Sequence, residues 1–142
     1  MKDGDRHITK KKHEIISNYI IEHYSSLYGS TEKQFEVHKI YGTSESDGVL
    51  SVYMWSYYCG FNKTTGTEEQ SGHSLPAVIK LKKEEERYAV IEYIEPQDGN
   101  GYQSSLKNMF PEKYLELVQQ DNGNIEDLQK EMNKKVKKWL EE

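Results

Sequence analysis

The chain has a single cysteine, Cys59, so no intrachain disulfide can staple it. An isolated cysteine packs as a small hydrophobe. A reactive thiol needs an electropositive, partly open setting, which the aromatic strand around Cys59 does not supply. One cysteine suits a reducing compartment, or a secreted protein that does without disulfides. Long apolar runs are also missing. None approaches the ~18 residues of a membrane-crossing helix. The amino end, MKDGDRHITKKKHE, carries charge but no apolar stretch, so it does not read as a signal peptide. Basic charge is in deficit: 19 Lys and Arg stand against 24 Asp and Glu, for a net charge of -5. That argues against a general nucleic-acid binder, which needs a basic face to neutralise phosphates.

Catalytic signatures are equally scarce. His13-Glu14-Ile15-Ile16-Ser17 begins like a zinc-peptidase helix, but that chemistry needs a second imidazole one turn on, and position 17 is serine. His7, His13, His23, His38 and His73 lie on separate elements without ligand spacing, so no metal and no cofactor is implied. In Ser71-Gly72-His73-Ser74 the adjacent serine and histidine point to opposite faces of a strand, and no G-x-S-x-G elbow is present. Glu92, Glu95 and Asp98 read as surface charge at a strand end rather than as paired catalytic carboxylates. Asn62-Lys63-Thr64 is a formal glycosylation acceptor of low specificity.

Aromatic residues, in contrast, are plentiful. They make up 11% of the chain, including 11 tyrosines, against a modest 35% hydrophobic content. Tyrosine buries much area while keeping a polar tip, and a disordered chain would lack such residues. The 142 residues suit one domain with a real core.

Residues 1–8 are polar and read as a loose N-terminus. Ile8, Ile15, Ile16, Tyr19, Ile20, His23, Tyr24, Leu27 and Tyr28 recur at helical spacing, giving a helix over 9–28 that Gly29-Ser30 stops. An antiparallel sheet fills 33–95. Its first strand centres on 35–41, and Asp47-Gly48 marks a tight hairpin. The second strand, 49–61, has Val49, Tyr53, Trp55, Tyr57, Cys59 and Phe61 on one face. Leu50, Val52, Met54 and Tyr58 are on the other, so both faces should be covered, or one should line a groove. Strands at 73–83 and 87–95 follow, joined by a charged turn. Helices then occupy 102–141, near 102–109, 111–120 and after Asn124.

The order is α+β: an N-terminal helix packed on a four-stranded antiparallel meander, then C-terminal helices. The layout is cystatin-like or resembles a reduced nuclear-transport-factor-like cone. The aromatic strand is the best candidate ligand groove, through Tyr53, Trp55, Tyr57 and Tyr58. The same side chains are equally readable as core beneath the first helix. Pro96, Asp98, Gly99, Tyr102, Phe110 and Pro111 form a structural elbow in which Gly99 takes a positive φ and Phe110 is buried.

The strings Ser71-Gly72-His73-Ser74-Leu75-Pro76-Ala77-Val78, Tyr88, Tyr93-Ile94-Glu95-Pro96-Gln97-Asp98-Gly99, Tyr102, Leu106-Lys107 and Phe110-Pro111 resemble a small domain of Gram-positive bacteria. That domain occurs in uncharacterised, partly lipoprotein-like Bacillus proteins. It is similar to the tail that follows membrane metallopeptidases of the beta-lactam-sensor type. The resemblance spans about 33–120. It implies an extracytoplasmic accessory or sensing domain, and no peptidase activity, since the zinc motif is absent. The expectation is therefore a non-enzymatic domain that binds a protein or a small ligand. A small hydrolase using the aromatic groove is one alternative. The other is an interaction module acting through a sheet edge or the last helix.

Overall fold

The computed structural model of the protein describes residues 2–4, 8–25, 31–69, 71–97, 99–121 and 126–142. Strands β1 (Lys2–Gly4), β2 (Lys33–Ser46), β3 (Val49–Phe61), β4 (Ser71–Glu84) and β5 (Arg87–Ile94) form one sheet in chain order, every pair antiparallel. Helix α1 (Lys10–Ser25) precedes β2. Helices α2 (Tyr102–Met109), α3 (Glu112–Asp121) and α4 (Glu126–Leu140) follow β5. The α+β order of helix, four-strand meander and C-terminal helices is the one the sequence pattern predicts.

The first eight residues are not loose throughout. Lys2–Gly4 pairs with Thr43–Glu45 as a short fifth strand, which satisfies edge backbone groups that would otherwise stay unpaired. Helix α1 is described to Ser25, so Leu27, Tyr28 and the Gly29-Ser30 stop lie outside the described residues, as do Asp98 and Asn124. No described helix is long and apolar enough to cross a membrane.

The turns follow from local chemistry. Asp47 and Gly48 have φ of 52° and 78°, the doubly positive geometry of a two-residue hairpin whose twist matches the strands it joins. Bulges interrupt the ladders between Ile40 and Gly42 and between Lys80 and Leu81, and such insertions bend and twist a sheet. Gly42 sits in the first. A Cβ there would lie 2.3 Å from the Tyr114 ring, so glycine lets α3 close onto β2. Pro76 faces Trp55 on β3, while β5 pairing begins only at Val78. Its missing N–H therefore falls on an edge, where proline is tolerated.

Alternation along β3 divides the core in two. Val52, Met54 and Tyr58 pack with Ile16, Ile20 and Tyr24 of α1 and with Ala77, Ile79 and Leu81 of β4. On the opposite face Tyr53, Trp55, Cys59 and Phe61 pack with Leu106, Phe110, Val118, Leu128, Met132 and Val136 of the C-terminal helices and their connections. The sheet is covered on both sides, as apolar residues on both faces of β3 imply. Tyr53, Trp55 and Tyr57 lie under α2–α4, while Tyr58 packs against Tyr24 of α1, so the expected placement beneath the first helix holds for Tyr58 alone. Helix α1 buries only Ile16, Ile20 and Tyr24, a stripe narrow enough for Val52 and Met54, whereas the aromatic face needs three helices to cover it. Each fully buried side chain of this size contributes roughly 1.5–3 kcal/mol.

The elbow delivers the chain to that aromatic face. Gly99 has φ 69°. The Gln97 N–H donates to Ser105 Oγ at 2.9 Å, and the Ser105 hydroxyl donates to the Gly101 carbonyl at 2.7 Å. Pro96 and Tyr102 are half-buried and Phe110 is buried. The Pro111 carbonyl accepts from the N–H groups of Tyr114 and Leu115, which starts α3 directly after the proline.

Candidate functional site

The aromatic strand is distributed over two faces. Tyr53, Trp55 and Tyr57 point toward the C-terminal helices, with Trp55 only 5% exposed, and Tyr58 points toward α1 at 1%. The four rings therefore do not line one groove. Their polar tips are occupied: Trp55 Nε1–H donates to Ser74 Oγ at 2.6 Å, the hydroxyls of Tyr53 and Ser44 share a bond at 3.0 Å, and Tyr57 donates to Glu69 at 3.0 Å. Tyr57 is half-exposed, and Tyr53, though buried, borders a cleft. This open cleft of about 690 Å³ runs between the β2–β3 hairpin, β5 and α2, where Ser51, Lys80, Glu92 and Met109 also stand.

A different constellation carries the titratable chemistry. Glu36 and His38 are two apart on β2 and so share a face, the face that meets α1. His13 and Ser17 are four apart on α1, one turn along the same side. Ser56 of β3 pairs with His38 across the ladder. Glu36 Oε1 accepts from His38 Nδ1–H at 2.7 Å and from the Ser17 hydroxyl at 2.7 Å, and Oε2 accepts from the Ser56 hydroxyl at 2.6 Å. His38 Nε2 and His13 Nδ1 then meet at 2.8 Å. The Glu36 side chain is completely enclosed and that of His38 is 4% exposed, while His13 is half-buried. A chain of proton-bearing groups thus runs from a buried carboxylate to the wall of a second open cleft. This one measures about 590 Å³ and lies along the β2 margin, with Lys10 and Glu14 of α1 and Glu131 and Lys135 of α4 on its walls.

The charges in this chain are coupled. Burial alone would raise the Glu36 pKa, but the positive charge on His38 and the donors from His38, Ser56 and Ser17 outweigh it and hold it below the ordinary value. Burial likewise opposes charge on His38, yet the Glu36 carboxylate, helped by Glu131, lifts its pKa above the ordinary value. His13 is shifted the other way, by burial and then by the charge on His38. The pair therefore takes its first proton on His38.

Other polar groups have structural settings. His73 packs against Tyr24 and Tyr58 on the α1 face, while Ser74 receives the Trp55 N–H on the other face. Their separation is the one strand geometry demands. Tyr24 donates to Glu95 and shares a bond with Tyr93 at 2.8 Å. Cys59 is buried and donates to Glu69 at 2.8 Å, and burial pushes its thiol pKa up to about 12, far from a reactive thiolate. Glu92 pairs with Lys80 at 3.6 Å near the surface. Among the described residues no group of three or more His, Cys, Asp or Glu is placed to hold a metal ion.

The Glu36–His38–His13 chain escapes a reading of linear spacing because His13 and His38 are 25 residues apart. A trace exists, since Glu36 and His38 occupy the same face of β2 as Ile40, where an alternating strand calls for apolar side chains. Comparison with family profiles, with curated proteins and with solved structures finds no match to this chain.

Proposed function

We propose that this protein is a non-enzymatic binding or sensory domain whose small-molecule site is the cleft between α1, β2 and α4. One observation carries the reading: a fully enclosed, ionised Glu36 is wired through His38 to His13 on the cleft wall. Well-packed apolar residues of equal volume would hold α1 to the sheet as well as a buried ion pair does, or better. A charged chain that ends at open space is better suited to sensing what enters there. The hydrolase alternative finds less support, because the Ser17 and Ser56 hydroxyls donate to Glu36 rather than to a histidine. The extracytoplasmic, accessory character implied by the resemblance to Bacillus domains fits a ligand-sensing role. The cystatin-like or nuclear-transport-factor-like comparison rests on the single helix crossing the sheet.

The interaction-module alternative has one observation in its favour. Outward of β2, no described strand pairs with residues 33–42, and an uncovered edge can accept an added strand. The two readings separate in one NMR experiment on the labelled full chain. A panel of small anions, cations and neutral compounds should move the resonances of His13, Ser17 and Lys135. Perturbation confined to backbone amides of 33–42, and only by extended peptides, would favour the edge. Silence at the cleft across the whole panel would refute the small-molecule reading.

A further inference from the structure

We infer that this cleft takes a small oxyanion, a carboxylate or a phosphate, held at His13 Nε2. The inference rests on the ligand-binding reading above and adds the class of ligand. It follows from counting protons. Glu36 accepts from Ser17, Ser56 and His38 Nδ1, so Nδ1 of His38 carries a hydrogen in every state of the network. The 2.8 Å line between His38 Nε2 and His13 Nδ1 holds one further proton. When His38 is cationic, its Nε2–H donates to His13 Nδ1, and neutral His13 carries its own hydrogen on Nε2. When the pair is neutral, His13 Nδ1–H donates inward and Nε2 is a bare lone pair.

One proton deep in the interface therefore switches the outer nitrogen of His13 from acceptor to donor. That nitrogen has no hydrogen-bond partner among the described residues, and His13 is part of the cleft wall. The buried Glu36 carboxylate favours the state with His38 charged, which presents the donor. The charged groups facing the pair come from every neighbouring element: Lys10 and Glu14 on α1, Glu36 on β2, and Glu131 and Lys135 on α4. The two lysines complement an anion. The two glutamates offset that charge, so the wall is neutral overall and the anion is selected by the His13 donor. The alternative of a metal ion between the histidines fits the geometry less well. Two nitrogens bound to one tetrahedral zinc lie about 3.3 Å apart with converging lone pairs. Here the nitrogens are 2.8 Å apart with ring centroids at 5.0 Å and planes inclined by 21°, the in-line arrangement of a shared proton.

The test uses the full chain with acetate, inorganic phosphate, sulfate, methylammonium and acetamide as probes. Calorimetry in two buffers of different ionisation enthalpy is combined with imidazole 15N spectra. Acetate should move the His13 signals and bind more tightly than methylammonium or acetamide. Its Kd should rise about tenfold per pH unit above the transition of the histidine pair, with about one proton taken up on binding. His13→Ala, at a half-buried position and with its fold checked by the amide spectrum, should lose at least tenfold in affinity. His13→Gln keeps an amide donor near the place of Nε2, so it should bind with little pH dependence. Tighter binding of methylammonium or acetamide than of acetate would overturn the inference while leaving the binding site in place. A Kd independent of pH, undiminished binding by His13→Ala, or stoichiometric Zn²⁺ binding through both histidines would also overturn it. A cleft unmoved by every probe would refute the site itself.

Discussion

The two faces of the sheet are built from the same strands yet differ in what they enclose. Toward α2–α4, alternate residues of β3 contribute Tyr53, Trp55, Cys59 and Phe61 to a layer made of apolar and aromatic side chains. Toward α1, the intervening positions contribute Val52, Met54 and Tyr58, but also Ser56, which is fully buried beside Glu36. The first face is what a three-helix cover over a sheet requires for stability. The second carries a charged chain in the region of α1 where an apolar residue would pack as well. Burying a charge is costly unless it is paired and hydrogen-bonded, and Glu36 is both. Both faces bury an apolar cluster, and the two-residue period of a strand keeps the Glu36–His38–His13 chain on one of them.

The largest test strikes the aromatic face. Trp55→Ala should remove about 3–5 kcal/mol of stability, read as a large fall in the chemical-denaturation midpoint. Trp55 lies under the C-terminal helices and away from the α1 cleft, so any variant that remains folded should keep the His13 and His38 resonances. A loss of under 1 kcal/mol would mean that Trp55 is not a principal part of that face's core.

On the other face, Glu36→Ala strands His38 without its partner and should cost about 3 kcal/mol near pH 6. The double replacement Glu36→Leu with His38→Phe should recover most of that loss, since an apolar pair needs no compensation. Recovery of stability together with loss of every cleft response would sharpen the contrast. A double variant less stable than Glu36→Ala would show that the charged chain is itself a principal stabiliser.

The same pair sets a pH signature. Glu36, with its pKa held below the ordinary 4.5, contributes stability that is present above that value and lost as pH falls through the folded-state pKa. His38, with its pKa raised above the ordinary 6.5, contributes stability that is full below 6.5 and lost as pH rises through the folded-state value. The melting-temperature gap between the natural chain and Glu36→Gln should therefore be widest between about pH 5 and 6.5 and narrow on either side. His13 and His73, both shifted down by burial first, oppose folding as pH falls in both proteins, and each also feels the Glu36 charge. A gap constant from pH 4 to 9 would contradict the pairing.

The smallest expected effect concerns the elbow. A side chain at Gly99 meets nothing within 4 Å but must adopt a φ of +69°. Gly99→Val should cost about 1–2 kcal/mol from backbone strain alone, and hydrogen exchange should quicken first in α2 and α3. Exchange quickening first in α1 would break the assignment of the elbow to the aromatic face.

Much of this architecture is written in short-range pattern. The 49–61 strand, the Asp47-Gly48 hairpin, the positive φ of Gly99, the buried Phe110 and the helical pieces near 102–109 and 111–120 follow from period, turn chemistry and the steric freedom of glycine. These terms act between residues a few positions apart. The strand at Lys2–Gly4 was not legible, because a three-residue polar segment has no period and depends on the edge that receives it. Which helix covers the rings of Tyr53 and Trp55 was decided only in three dimensions. Alternation sorts residues onto two faces without saying which neighbour lies over each. The same holds for the candidate site. Linear spacing scatters the five histidines, whereas packing α1 across β2 brings His13 to His38 and leaves Glu36 enclosed beneath them. The sequence by itself determined the long elements and the two faces of their strands. Only the tertiary structure decided which polar side chains meet, because burial and long-range contact turn an ordinary glutamate and two distant histidines into one coupled proton chain.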